Sequence, residues 1–228
     1  MTLDSIQIPE YLPFIALPDT PFFPHAGAPL NIFENHYLQM LEECLEDNRT
    51  FALGSCTESS LSPNQVGARE PRSIATAGVI KACKKSEDGT YTLILQGVQR
   101  IYCLEWIKKT PYYVGRVEPI PTIPGSHPQN ILLQLAKIKS LFAQHEELNP
   151  RIPTEIFEKF QAIDQPERYL DIMIHTATAS TDWKQDQLEE NNLTNRMLLT
   201  KEFLRQEIKK LKLQKDLSDF FQSDPEDN

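Results

Sequence analysis

The sequence predicts an α+β protein: a β-rich first half carrying one amphipathic helix, then a helical second half that ends in a long helix. Three observations predict it. Six prolines fall within the first 29 residues (Pro9, Pro13, Pro18, Pro21, Pro24 and Pro29), and each lacks a backbone donor and disfavours helix in the residue before it. An Asp-Gly turn at Asp88-Gly89 separates two long apolar runs, which is a hairpin signal. A stretch with Pro119, Pro121, Pro124 and Gly125 then gives way to apolar residues at helical three-and-four spacing.

Each element follows in order. Between the early prolines sit Phe14-Ile15-Ala16-Leu17, Phe22-Phe23 and Leu30-Asn31-Ile32-Phe33, which read as a strand, a crossing loop and a second strand. After Glu34, the residues Tyr37, Met40, Leu41, Cys44 and Leu45 put one apolar stripe on a helix that ends near Asn48. Phe51 to Cys56 is a short strand, and Thr57 to Pro71 is a long surface loop rich in Ser, Glu, Asn, Pro and Gly. Ser73 to Lys84 and Thr90 to Trp106 form the hairpin. Tyr91, Leu93 and Leu95 alternate with Thr92, Ile94 and Gln96, so both faces carry apolar residues and the strand is expected to be central. Gly97 within it predicts a bulge or bend, and Tyr112 to Ile120 is the last strand.

The helical half opens at Ser126-His127-Pro128-Gln129, which has capping-box spacing. Ile131, Leu135, Ile138 and Phe142 share one face of its first helix. A shorter helix spans Glu155 to Gln161, and Asp164-Gln165-Pro166-Glu167 opens another with Tyr169, Leu170, Met173 and Ile174 inward. Asp182 to Glu190 and Leu193 to about Phe221 complete the set. The long helix carries two apolar edges, Met197, Leu204, Ile208 and Leu211 on one side and Leu199, Phe203, Leu213 and Leu217 on another. Either both edges close the bundle, or the part beyond Lys209 pairs with a partner helix or a second copy. The expected organisation is a β-domain over residues 9–121 and a helical bundle over 126–221, with flexible termini at 1–8 and 222–228.

Composition bounds the function. A chain of 228 residues with 40% hydrophobic content suits one large or two small domains. No apolar run approaches a membrane span and the N-terminus has no signal-peptide pattern, so a cytoplasmic location is expected. A formal charge of −9 disfavours general nucleic-acid binding. The lysines Lys201, Lys209, Lys210, Lys212 and Lys215 lack the interleaved aromatics that stack on bases. Cys44, Cys56, Cys83 and Cys103 form no Cys-x-x-Cys pair and are expected to be reduced residues in or near the core, and the five scattered histidines form no metal-ligand motif. No cofactor is expected.

The stretch Leu17-Pro18 through Phe23-Pro24 to Pro29-Leu30-Asn31-Ile32-Phe33-Glu34, followed by Tyr37 and its helix, resembles the opening block of Lon protease N-terminal domains. Ile74 to Ile80, Asp88 to Tyr91 and Gln96 to Ile101 are similar to the family's second block. The helical half, with Asp164 to Asp171 and the run through Arg205, follows its layout, so the resemblance spans about Pro9 to Leu217. It implies a PUA-like pseudo-barrel followed by a helical bundle. Asp19 and His25 stand where the family usually has glycine, Asn31 where it often has histidine, and Ala75 where glycine is common. Loop geometry and ligand choice are expected to differ there.

Lon hydrolyses ATP through a phosphate loop ending in Gly-Lys-Ser/Thr and cuts peptides with a Ser-Lys dyad. No Gly-Lys dipeptide occurs in these 228 residues, and no Gly-x-Ser-x-Gly motif or other nucleophile signature accompanies a base. The resemblance therefore implies a stand-alone, non-catalytic member that binds unfolded or exposed segments of client proteins, or modulates a protease supplied in trans. Phe22 and Phe23 in the crossing loop and Tyr112 and Tyr113 at the last strand are the candidate contact residues, set against ordinary core packing for each. A free sheet edge would add sequence-tolerant hydrogen bonding. An RNA-binding module, since PUA-like barrels also occur in RNA-binding proteins, and an assembly protein dimerising through the terminal helix are the alternatives.

Overall fold

Proline, turn chemistry and periodicity partition the chain as the sequence predicts. The structure is a computed structural model that describes residues 7–56 and 69–222. Its strands are β1 (Tyr11–Leu17), β2 (Gly27–Ile32), β3 (Thr50–Ser55), β4 (Ile74–Lys85), β5 (Tyr91–Lys108) and β6 (Tyr113–Pro119). Its helices are α1 (Asn35–Glu46), α2 (Pro128–Leu148), α3 (Thr154–Gln161), α4 (Pro166–Thr176), α5 (Thr181–Glu189) and α6 (Leu193–Gln222). Most of the expected surface loop from Thr57 lies outside the described residues, as does most of each terminus expected to be flexible.

The strands run β2-β5-β4-β3-β1-β6, and β6 also pairs with β5. Strands β5, β4, β3, β1 and β6 therefore close on themselves as a pseudo-barrel, and β2 stands outside the closure. Among these described strands only β1 and β3 pair in parallel. The long β5 makes this possible, pairing through Tyr91 to Gln96 with β2 and through Ile101 to Lys108 with β6. Between those halves lies Gly97, where the register against β4 slips. The expected bend is there, and close approach explains the glycine: a Cβ on Gly97 would lie 2.2 Å from the Phe23 carbonyl oxygen. The crossing segment is tied down at this point, with His25 N–H donating to Gly97 O at 3.0 Å and Gly97 N–H to Ala26 O at 2.8 Å.

Two residues standing where the resembled family has glycine, Asp19 and His25, adopt positive φ of 51° and 64°. That region is unfavourable for a side chain with Cβ, so a backbone shape that suits glycine is held here by two residues that carry one. Arg49, at φ 61°, makes the same turn after α1, and its amide donates to Cys44 O at 2.9 Å. The hairpin turn closes with Gly89 at φ 88°, and Asp88 Oδ1 accepts from the Thr90 amide at 3.0 Å.

Leu12, Phe14, Ala52, Ala75, Ala77 and Ile101 are fully buried in the barrel core, where a large apolar side chain contributes about 1.5–3 kcal/mol. Phe14 meets Trp106 edge-on at 4.9 Å. Cys44, Cys56 and Cys103 are buried and Cys83 is half-buried, all as free thiols.

The chain divides into two compact units, Met1–Pro121 with Asp171–Asn191, and Thr122–Leu170 with Asn192–Asn228. This departs from the linear division into residues 9–121 and 126–221. Helix α4 crosses the boundary, and its second half and α5 join the β unit. Within that unit, Arg100 on β5 holds Asp171 of α4 in a fully buried ion pair, while Phe22 and Phe23 pack edge-on against His175 at 5.8 and 6.4 Å.

In the helical unit, α2 and α6 pack together, and Lys201 of α6 donates to Gln134 of α2. Phe142 meets Phe160 at 5.6 Å, and Phe160 stacks on Tyr169 at 4.4 Å. The capping box expected at Ser126 does not form. His127 is the N-cap, with no side-chain cap bond, and Pro128 occupies the first turn, so proline's fixed φ starts the helix. Ser126 Oγ instead accepts from Asn130 Nδ2 at 3.3 Å. Of the two apolar edges of α6, Met197, Leu204 and Ile208 are buried, whereas Leu199, Leu213 and Leu217 remain exposed.

Candidate functional site

The four residues expected to offer an apolar contact surface are in the core. Phe22 and Phe23 are 0% exposed, Tyr112 3% and Tyr113 9%. Phe22 and Phe23 turn inward because the crossing segment lies on Gly97 and because Thr76 Oγ1 donates to the Phe22 carbonyl at 2.5 Å. The Tyr112 hydroxyl donates to Glu43 of α1, and Lys108 Nζ sits 3.9 Å over its ring. Burial and the Glu43 carboxylate push its phenol upward. Tyr113 packs edge-on against Trp106 at 5.3 Å.

What the β unit does expose is an edge. Strand β2 pairs only with β5 among the described strands. A proline sits within a ladder only where its missing N–H points away from the partner, so Pro29 faces outward, and by alternation so do the main-chain groups of Gly27 and Asn31. The Gly97 amide bonding Ala26 O fits the same phase. Gly27, Pro29 and Asn31 are exposed, and among the described residues nothing lies within 4 Å of where a Cβ on Gly27 would stand.

Beside this edge, β1, β2 and the start of α1 enclose a slot of about 90 Å³, lined by Ile15, Leu17, Leu30, Ile32, Phe33 and Tyr37, with Asn31 and Glu34 also on its wall. Phe33 is 67% exposed. The floor is made possible by Tyr37. Pairing of β6 with β1 ends at Phe14, and beyond it the Tyr37 hydroxyl takes the place of a strand, accepting from Ala16 N–H at 3.3 Å and donating to Ala16 O at 3.4 Å. Burial drives the Tyr37 phenol up to about 12, so it remains a donor at neutral pH. The His36 ring lies tilted against Tyr37, centroids 4.2 Å apart, with Nε2 3.5 Å from Glu34. Burial lowers the His36 pKa against the opposing pull of Glu34, and the Arg69 charge also acts on Tyr37.

Sequence reasoning recognised Leu30 to Glu34 only as strand and motif. Pro29 inside a strand pattern is the signal that marks an edge; the slot itself joins β1 to α1 across 22 positions and leaves no local trace. Asn31, one of the departures from the resembled family, stands on the outward edge, and its Oδ1 accepts from Thr92 Oγ1 at 3.0 Å. Among the described residues, no group of three His, Cys, Asp or Glu side chains is placed to hold a metal ion, and no helix is long and apolar enough to cross a membrane.

This is the fold of Lon N-terminal domains. It superposes on the N-terminal domain of Mycobacterium avium complex Lon protease with a TM-score of 0.67 at 14% identity, covering 86% of this chain and 98% of that one. A Lon N-terminal domain protein from Xanthomonas campestris superposes with a TM-score of 0.58 at 18% identity, covering 82% and 94%. Over residues 11–206 the chain matches the ATP-dependent protease La (LON) substrate-binding domain, and it belongs to that family. Lon protease 2 of Myxococcus xanthus is 26% identical over 212 residues, 92% of this chain and 25% of the relative. Lon protease of Desulfosudis oleivorans is 27% identical over 207 residues, again 25% of its length. The chain thus spans about a quarter of the length of the curated relatives it matches.

Proposed function

We propose that this protein is a non-catalytic binding module that recognises exposed or unfolded segments of protein clients, acting in substrate recognition or in modulation of a protease supplied in trans. The observation that carries the reading is the outward-facing edge of β2, which has no strand partner besides β5 among the described residues, beside an apolar slot. An edge offers main-chain hydrogen bonds to any extended chain, and a slot adds side-chain preference. Membership of a substrate-binding family supports the same reading, and the absence of any Gly-Lys phosphate-loop dipeptide from the sequence supports a role without ATP hydrolysis of its own. The test is binding of the purified protein to a chemically denatured client and to an array of apolar peptides. No measurable binding to either would refute it.

A second reading is favoured by Leu213 and Leu217 on α6, which are 58% and 49% exposed: self-association through the terminal helix. Binding of clients by an assembled protein is compatible with it. An RNA-binding role is disfavoured by the formal charge of −9, and binding to RNA that weakens with salt would be the result that revives it.

A further inference from the structure

We infer that the β2 edge takes an extended polypeptide as an added strand, with one branched aliphatic side chain in the slot and a basic residue beside Glu34. The inference rests on the reading that the chain binds protein clients, and it names what they must present.

Three features commit the occupant. The outward groups of Gly27, Pro29 and Asn31 are main-chain groups at strand spacing, so they select an extended backbone rather than a helix. Pro29 supplies a carbonyl but no donor. The partner chain therefore needs its own amides at alternate positions more than its carbonyls, and its dependence on those amides has a period of two. The slot, at about 90 Å³, is smaller than the roughly 150 Å³ cavity that admits a benzene ring. Valine, leucine or isoleucine suits it, and an aromatic side chain does not.

The third feature is charge. Among the described residues Glu34 is the one carboxylate on the slot wall, its side chain is 41% exposed, and its histidine neighbour is largely buried. A lysine or arginine flanking the aliphatic anchor meets that carboxylate, while an acidic flank meets repulsion from it. The formal charge of −9 on the whole chain adds to this bias at low ionic strength.

The experiment uses the full chain and fluorescent, unstructured peptides carrying a single leucine flanked by lysine, read by anisotropy. The expected order is leucine above phenylalanine at the anchor and lysine above glutamate at the flank, the charge effect being about two- to fivefold. N-methylation along the peptide is expected to weaken binding roughly fivefold at alternate positions and little between them. Leu17→Phe, which fills the slot, is expected to weaken the leucine peptide at least about tenfold. Glu34→Lys is expected to invert the flank preference, a gain that misfolding cannot mimic. Peptides that bind with no periodic N-methyl effect, or with a flank preference unmoved by Glu34→Lys, would overturn the inference and leave client binding standing. Failure of both peptides and denatured clients to bind would overturn both.

Discussion

Arg100 on β5 and Asp171 on α4 form an ion pair at 2.5 Å with side chains only 1% and 0% exposed, joining positions 71 residues apart. Removing one partner of such a pair strands a charge in the interior. Asp171→Ala is expected to destabilise the protein by about 3–5 kcal/mol, measured by urea unfolding, whereas Arg100→Met with Asp171→Leu is expected to recover most of the loss. A single substitution within 1 kcal/mol of the parent would show that the pair does not hold the β unit together.

The approach of the crossing segment to β5 yields a second expectation. Gly97→Ala puts a methyl 2.2 Å from the Phe23 carbonyl oxygen, and rigid backbone cannot yield as a side chain tip can. Loss of the bonds at His25 and Ala26 should follow, with destabilisation of about 2–4 kcal/mol. Amide hydrogen exchange of residues 22–26 in the variant checks the cause: unchanged protection there would contradict it.

His25, at φ 64°, tests the persistence of a glycine-type turn. Glycine removes the Cβ strain of about 1–2 kcal/mol per residue but loosens the unfolded chain. His25→Gly is accordingly expected to be neutral or stabilising by up to about 1 kcal/mol, and His25→Val clearly destabilising. Thermal unfolding of the two variants side by side decides it, and equal effects would remove strain from the account.

Burial, aided by the Lys184 charge, depresses the His175 imidazole to about 4. The Lys184 ammonium also donates to the His175 carbonyl at 2.8 Å. In the unfolded chain an ordinary histidine binds its proton near pH 6.5, so the unfolded state gains a proton first. The His175 contribution is whole above about pH 6.5, is lost as the pH falls toward 4, and amounts to roughly 2–3 kcal/mol. The slope of stability against pH should be shallower in His175→Gln over that window. An unchanged slope would mean that the imidazole titrates normally in the folded protein.

For the terminal helix, light scattering on the full chain and on one ending at Lys209 is the check. Loss of a dimer on shortening is the signature expected if Leu213 and Leu217 are covered by a second copy. A full chain that is monomeric at high concentration would eliminate that reading.

The sequence by itself determined the elements and the family. Proline spacing, the Asp88-Gly89 turn and the three-and-four stripe of Tyr37 to Leu45 are local signals, and backbone sterics and periodicity act over a few residues. It did not mark the positive φ of Asp19 and His25, because neither is the glycine that announces such a turn. Only the tertiary structure decided that Phe22, Phe23, Tyr112 and Tyr113 lie inside, because their burial depends on Gly97, Glu43 and Trp106, which only folding brings against them. The same reason governs the slot between β1, β2 and α1 and the return of residues 171–191 to the β unit. An apolar residue announces that it seeks cover; which partner covers it is set by strands and helices that meet only on folding.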